Sequence, residues 1–311
     1  MDEIYDIIII GSGPAGLSAA IYAERAKLKT ITIEKSAMSG GQVLNTYEVD
    51  NYPGLPGING FDMGMKFRAH AETLGAKFIE DEVKELDFTA SVKKVIGEKA
   101  VYEGKTVLIA TGAKHRNLDV PGEEEYLGMG VSYCATCDGA FFRNKVVTVV
   151  GGGDAALEDA IFLSRICKKV YLIHRRDELR GAKVLQEQVF AAANVEIIWN
   201  HKVIDISGED TVNSIMIVDV NSDEKRQISV DGVFIAVGVL PNSAVFQGKV
   251  EMDNQNYIKA GEEARTSVPG VFAAGDVRTK GLRQIVTAVS DGANAITSIE
   301  RYLAEIFVKK I

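Results

Sequence analysis

An α/β fold in which one strand–glycine turn–helix–strand unit is used twice is what this sequence predicts, and three observations predict it. Tyr5 to Ile10 and Val146 to Val150 are short runs rich in Ile and Val, as expected of strands buried on both faces of a parallel sheet. Each run passes at once into glycines, Gly11-Ser12-Gly13-Pro14-Ala15-Gly16 in the first case and Gly151-Gly152-Gly153-Asp154-Ala155-Ala156 in the second. Each glycine turn then leads into a segment of helical spacing and a further β-rich run.

In the first copy the helix is expected over Leu17 to Leu28, and the second strand over Thr30 to Ile33, ending at Glu34. The second copy reads the same way, with a helix from Leu157 to Cys167 and a strand from Val170 to Ile173 that ends at His174-Arg175-Arg176. Between the copies lie a helix over Phe61 to Leu74, several short β-type runs, and a strand from Thr106 to Ala110 closing in Thr111-Gly112. After the second copy come a helix over Leu179 to Ala193, more short strands, and Val233 to Val237 before a turn-rich join at Gly238 and Pro241. Gly270 to Asp276 reads as a strand ending in a glycine–acid pair, and Ile285 to Lys309 as one long closing helix.

Composition narrows the function classes. At about 100–200 residues per domain, 311 residues favour two domains. Apolar residues at 46% and charged residues at 25% are ordinary for a globular protein with a full core. The 43 acidic residues outnumber the 35 basic ones, and a net charge of −8 argues against nucleic acid as principal partner. The opening Met1-Asp2-Glu3 is acidic, unlike a secretory leader, and no run approaches 18 apolar residues, so no membrane span and a cytoplasmic location are expected.

The glycine turns carry chemistry. In GxGxxG after a strand, the first Gly allows the tight turn and the second lets backbone approach a pyrophosphate. The third lets helix pack on strand, and the anion sits at the helix N-terminus. Gly11, Gly13 and Gly16 fit, and Glu34, 23 residues beyond Gly11, is the acid expected to meet a ribose hydroxyl. Gly151, Gly153 and Ala156 repeat the pattern, but the acid's place is taken by Arg175 and Arg176, with Arg180 a turn further. Arginines there fit a ribose 2′-phosphate and so NADP rather than NAD; the competing reading is a solvated basic face. Two cradles of opposite charge point to two dinucleotides, a dissociating hydride donor and a bound flavin, with the acid-type cradle suited to FAD.

Cys134 and Cys137 form a CxxC, and Cys167 stands apart. In a chain without a leader this spacing reads as redox or metal chemistry. A zinc site would need two more soft ligands, and Cys167, His115, His174 and His201 do not fall at such spacings, so no metal is expected. A dithiol can cycle without rearranging the chain. Asp138 beside it is a candidate general acid for the leaving thiolate, or an ordinary exposed carboxylate. Cys167, on an apolar helical face, reads as a small buried hydrophobe.

Together, GSGPAG, ATGA at 110–113, CATCDG at 134–139, GGGDAA, HRRDELR at 174–180 and AAGDV at 273–277 closely resemble the low-molecular-weight bacterial thioredoxin reductases, in the same order along the whole chain. The resemblance implies a homodimer of two Rossmann-like dinucleotide-binding domains, the second inserted into the first. Residues 1–114 and 244–311 would bind FAD, and 115–243 would bind NADPH and carry the CxxC. Carried over motif by motif, the FAD contacts are Gly11, Ser12, Gly13, Pro14, Ala15, Glu34, Lys35, Gly41, Gln42, Asn51, Val83, Ala110, Thr111 and Gly112. They continue with Gly275, Asp276, Arg283, Gln284 and Ile285, Asp276 holding the ribityl chain. NADPH would contact Gly153, Asp154, Ala155, Arg175, Arg176 and Arg180. The implied reaction passes hydride from NADPH to FAD, then electrons to the Cys134–Cys137 disulfide, then to thioredoxin by thiol–disulfide exchange. Cys137 would face the flavin and Cys134 would attack the partner.

One aromatic of the pair that helps dock thioredoxin in this family is displaced here, in Ala140-Phe141-Phe142. Because nicotinamide and cysteines ride on one module and the flavin on the other, the layout implies a swivel about 114–117 and 238–243. The competing readings are a related flavoprotein with another disulfide partner, a ferredoxin-fed relative without an NADPH site, and a non-catalytic nucleotide-binding redox sensor. GGGDAA and HRRDELR argue against the second.

Overall fold

A computed structural model describes residues 3–46, 49 and 51–308; Met1 and Asp2, and Lys309 at the expected end of the last helix, lie outside the described residues. The chain divides into two compact units, one of Met1–Lys114 with Leu240–Ile311, the other of His115–Val239. From the N-terminus, the elements are β1 (Ile4–Ile10), α1 (Pro14–Arg25), β2 (Thr30–Glu34), α2 (Gly60–Thr73), β3 (Phe78–Glu80), β4 (Val83–Asp87), β5 (Lys93–Gly97), β6 (Val101–Ile109) and β7 (Ala113–His115). Next come β8 (Val131–Ser132), α3 (Ala135–Asp138), β9 (Val146–Gly151), α4 (Asp154–Ser164), β10 (Lys169–Ile173), α5 (Lys183–Ala191) and β11 (Val195–Ile198). The rest are β12 (His201–Gly208), β13 (Val212–Asp219), β14 (Lys225–Ser229), β15 (Gly232–Ala236), β16 (Val239–Pro241), β17 (Val271–Ala273) and α6 (Ile285–Val308).

The sheet of the first unit runs β3-β2-β1-β6-β5-β4, with β17 also on β6. Its core strands β3, β2, β1, β6 and β17 are parallel, and β4 and β5 add an antiparallel flank. The Ile run of β1 shows why alternation is invisible in the sequence. Ile7 and Ile9 enter a core with Ala19, Ile296 and Ile299, while Ile8 and Ile10 enter another with Ile33, Phe246 and Val271. Neither face meets water, so both must be apolar, and each such side chain contributes about 1.5–3 kcal/mol.

The second unit repeats this in a smaller sheet, β11-β10-β9-β15-β8, with all pairs parallel. Val147 and Val149 of β9 pack with Ala156, Leu157 and Ala160 of α4, and Val150 with Ile215 and Ile217 of β13. The further short strands are an antiparallel β12-β13-β14 sheet. β7 and β16 form a separate two-stranded sheet.

Helix boundaries depart from expectation for local reasons. Both α1 and α4 begin three residues early, because the last residues of each glycine turn form the first helical turn, with Gly13 and Gly153 as N-caps. The first helix stops at Arg25 rather than Leu28, where Lys27 adopts φ +59° and breaks the helical path. α5 starts at Lys183 rather than Leu179, since the intervening residues are pinned elsewhere. Arg180 N–H donates to Gly152 O at 2.7 Å and Ala182 N–H to Asp154 Oδ1 at 2.7 Å. Among the described residues no helix is long and apolar enough to cross a membrane.

Candidate active site

In the first unit the parallel strand ends and the N-terminus of α1 form one cradle. Gly11 turns at φ +102°, and a Cβ there would stand 2.5 Å from Ala110 O. Around Gly13 a Cβ would meet nothing, which leaves the backbone N–H groups of the helix start approachable. Pro14 occupies the start of α1 and Ala15 is buried behind it. Glu34, at the end of β2, accepts from Ser12 N at 2.8 Å and Ser12 Oγ at 2.9 Å through one oxygen, and from Ser36 N at 3.3 Å through the other. The acid therefore holds the glycine turn itself.

Distant segments close on this turn. Gly40 N–H donates to Ser12 O at 2.9 Å, and a Cβ on Gly41 would lie 3.4 Å from Gly13 Cα. Gln42 Nε2 donates to Ala113 O. Asn51 Nδ2 reaches Gln284 Oε1 at 2.9 Å, just before Ile285 opens α6. Thr111 Oγ1 donates to Asn242 O at 2.8 Å, next to Gly112 at φ +67°. Gly275, at φ +77°, sits with its would-be Cβ 2.9 Å from Ala15 Cβ and places Asp276 beside the cradle. Two residues lie at the margin: Lys35 is exposed, and Val83 opens β4 two residues past Asp81, whose N–H donates to Glu34 O at 2.9 Å.

Two orphaned atoms mark what this cradle is made for. Asp276 Oδ1 and Arg283 Nε are buried without a partner among the described residues, although the Arg283 guanidinium lies 4.1 Å over the Tyr257 ring. Burial pushes the Asp276 carboxyl up, opposed by Lys280 and then Arg283. An acceptor and a donor left bare beside an approachable helix start fit a ligand with hydroxyls and acidic oxygens.

The second cradle is built alike on β9 and α4. Gly153 has open space at its Cβ position, and Asp154 and Ala155 are exposed at the helix start. Arg175, Arg176 and Arg180 are all exposed, and the Arg180 backbone bond to Gly152 carries that arginine back to the turn. His174 is buried against Gly152, where any Cβ would strike its ring, and its Nε2 has no partner among the described residues. Burial above all holds its pKa down, against a backbone hydrogen bond with Glu178 and with the three arginines adding to the burial.

Cys134 and Cys137 are joined in a disulfide with Cα atoms 5.3 Å apart, Cys134 capping α3. Asp138 ends that helix half-buried. Ser132 Oγ donates to its Oδ2 at 2.5 Å while accepting from Cys134 N at 3.0 Å, and Oδ1 is buried without a partner among the described residues. Burial pushes the Asp138 carboxyl above its usual range, against the Ser132 hydrogen bond. It is thus an acid whose neutral form burial favours, one residue past Cys137, and not a free surface carboxylate. Thr136 Oγ1 lies 3.4 Å from Cys134 Sγ. Cys167 is buried and reduced, its thiol pushed up to about 11 by burial, and takes no part. Of the aromatic residues that follow, Phe142 packs edge-on against Phe234 in the core and Phe141 is 40% exposed.

Sequence reasoning missed Ser132, the contact of His174 with Gly152, and a buried set formed by Arg278, Lys280 and Asp291. For Asp291 a signal existed: it is an acid on the stripe Ala288, Gly292, Ala295, Ile299 that α6 buries.

A CxxC disulfide followed by a half-buried acid, on a scaffold with two glycine-turn cradles, defines an oxidoreductase of disulfides. A family model described as pyridine nucleotide-disulphide oxidoreductase matches residues 5–292. The thioredoxin reductase of Listeria innocua is 45% identical over 98% of this chain and 96% of that protein, and that of Bacillus subtilis 43% identical over the same shares. The fold is similar to the crystal structure of thioredoxin reductase from Streptococcus pyogenes, with TM-score 0.93 and 46% identity over 98% of this chain and 100% of that one. It is also similar to thioredoxin reductase from Giardia duodenalis, with TM-score 0.91 and 36% identity over 97% and 100%. The chain belongs to the pyridine nucleotide-disulphide oxidoreductase family and, within it, to the thioredoxin reductases.

Proposed function

We propose that this protein is an NADPH-dependent, FAD-containing thioredoxin-disulfide reductase, working as a homodimer in the cytoplasm. The observation that carries the reading is the Cys134–Cys137 disulfide with the half-buried Asp138 beside it. The curated relatives at 43–45% identity support thioredoxin as the substrate. In the first cradle, Gly11, Ser12, Gly13, Pro14 and Ala15 offer the backbone for the pyrophosphate of FAD, with Glu34 at its ribose and Asp276 at its ribityl hydroxyls. Gly41, Gln42, Asn51, Ala110, Thr111, Gly112, Gly275, Arg283, Gln284 and Ile285 line the approach, with Lys35 and Val83 at its edge. In the second, Gly153, Asp154 and Ala155 would hold the pyrophosphate of NADPH, and Arg175, Arg176 and Arg180 its 2′-phosphate. When bound, the two groups supply the two-electron relay that opens the disulfide.

The chain's own residues do the rest. Opening Cys134–Cys137 leaves two sulfurs and a need for a proton, and Asp138, adjacent to Cys137 and with its carboxyl shifted toward the protonated form by burial, is the acid that supplies it. Thr136 Oγ1 is placed to donate to a Cys134 thiolate. That thiolate attacks one sulfur of the thioredoxin disulfide, releasing the other as a thiolate and forming a mixed disulfide; Cys137 then attacks Cys134 Sγ, which frees the second thioredoxin sulfur and restores the Cys134–Cys137 bond. Phe141, exposed beside the pair, gives the partner an apolar contact.

Purified protein should be yellow, bleach with NADPH, and reduce thioredoxin with NADPH in preference to NADH. In Cys134→Ser the flavin should still bleach while transfer to thioredoxin falls to background. Persistent transfer in that variant would reassign the nucleophile, and a protein that neither carries nor takes up flavin would remove the reading altogether.

A further inference from the structure

Three charged side chains are packed out of water just beyond the glycine–acid turn. Asp291 of α6 accepts from Arg278 through both oxygens, Nε to Oδ2 at 2.8 Å and Nη2 to Oδ1 at 2.7 Å, and from Lys280 Nζ at 3.0 Å. The Asp291 and Lys280 side chains are each 7% exposed and that of Arg278 is 9%. A fourth donor, the Gly275 N–H, lies 2.9 Å from Oδ2. A buried cluster of this kind is weak evidence for stability, since apolar residues of similar volume often do as well. Its geometry says more.

Asp291 stands where three parts of the first cradle meet. Its neighbour Gly292 lets α6 press on the first turns of α1: a Cβ there would fall on Ala15 O and 2.9 Å from Ala19 N. Ser18 Oγ ties the same turns to Val289 O at 2.7 Å. From this fixed point the carboxylate reaches the Gly275 N–H, one residue before Asp276. Two cations against one anion also leave an excess positive charge beside Asp276. The charged and titratable groups facing Asp276 are Lys280, Arg283 and Arg278, which favour its ionised form, Asp291, which disfavours it, and Tyr257 under the Arg283 guanidinium.

We propose that Asp291 is a positioning residue of the cofactor cradle, placing Asp276 through the Gly275 N–H and setting, with Lys280 and Arg278, the charge around it. The proposal rests on the reading of the first cradle as a FAD site. The Arg278 side chain is anchored from its other end, Nη1 donating to Ala260 O at 3.1 Å and Thr279 O at 3.0 Å, so it holds Asp291 rather than following it.

The test strips flavin from wild type, Asp291→Asn and Lys280→Gln, then titrates each with FAD across about pH 4 to 8, following flavin fluorescence, with circular dichroism as the check on folding. Losing a charge-assisted contact should weaken FAD binding by Asp291→Asn about tenfold or more at neutral pH. The two charges act oppositely on Asp276. The acid midpoint of flavin release should therefore move to lower pH in Asp291→Asn and to higher pH in Lys280→Gln, a divergence that loose packing alone would not produce. FAD affinity within about twofold of wild type in Asp291→Asn, or midpoints that move the same way, overturns the proposal. Should Asp291→Asn fail to fold, the upward shift in Lys280→Gln decides alone, and its absence overturns the proposal. A wild type that takes up no FAD removes the cofactor reading and this inference with it, whereas normal wild-type binding with unaffected variants removes only the inference.

Discussion

The two cradles share a backbone and differ in almost every side chain around it. Gly11 and Gly151 both make the turn at positive φ, and Gly13 and Gly153 both cap a helix with nothing where a Cβ would be. At the third position, however, a Cβ on Gly16 would run into Gly11 O, while the second cradle carries Ala156. Position 19, buried Ala in α1, corresponds to half-buried Asp159 in α4. After the second strand, one cradle has Glu34 bonded back to Ser12 and the other has exposed arginines over a buried histidine. The two cradles share their backbone geometry, and what distinguishes them is the set of side chains around it.

The third position gives the largest contrast. Gly16→Val puts a branched side chain where even one carbon collides with the Gly11 carbonyl, and overpacking at such a site costs about 3 kcal/mol. FAD content should fall to near zero and the urea midpoint should drop. In the other cradle Ala156→Gly should cost about 1 kcal/mol, the helical price of glycine, and leave FAD content intact. Equal losses in the two variants would mean that the cradles are not packed differently.

Much of this architecture was legible because the rules that write it are local. A glycine turn between an apolar run and a helix needs only a dozen residues, so both cradles, the acid at 34, the arginines at 175 and 176, and the CxxC could be read directly. The residues that close the first cradle were named only through the family resemblance, and no local pattern shows why they meet. The pair Asn51–Gln284 spans 233 residues and Thr111–Asn242 spans 131, and only the order of strands in the sheet brings such segments together. The helix starts were misplaced for a related reason. Propensity favours Leu17 and Leu157 as first residues, but the glycine caps let helical geometry begin within the turn. The Leu179–Ala182 stretch, helical by pattern, is held instead by Gly152 and Asp154.

Asp159 sharpens the comparison through pH. Burial, with Glu158 adding to it, pushes its carboxyl up to about 7, whereas its counterpart Ala19 cannot titrate. The folded-state pKa lies above the unfolded one, so between about pH 4 and pH 7 the folded chain binds the extra proton. Stability of the second unit therefore declines as pH rises through that window. Asp159→Asn should be neutral near the acid end and stabilising by about 2 kcal/mol at the alkaline end, part of the full penalty being relieved by water at this half-buried site. Urea denaturation at both ends of the window measures it. A stabilisation independent of pH would trace the effect to packing and leave the charge out of it.

The smallest expected effect tests the charge difference at the strand ends. Arg175 and Arg176 are exposed and fixed by no ion pair among the described residues, so their charge is available to a phosphate but screened by salt. The His174 ring fills the space over Gly152 and burial disfavours its charged form, which leaves the arginines as the cations at this strand end. Removing both, in Arg175→Ala/Arg176→Ala, should raise KM for NADPH about tenfold at low ionic strength and change KM for NADH by less than about twofold. The turnover number and the FAD content should stay at wild-type values, because the two arginines are assigned to the 2′-phosphate and not to the dithiol chemistry. The NADPH effect should also shrink as salt is added, since an exposed contact weakens within a Debye length of about 10 Å at 0.1 M. If NADPH and NADH suffer alike, the arginines serve the helix start or the fold, and the opposite charges of the two cradles no longer explain why one would choose a phosphorylated ribose.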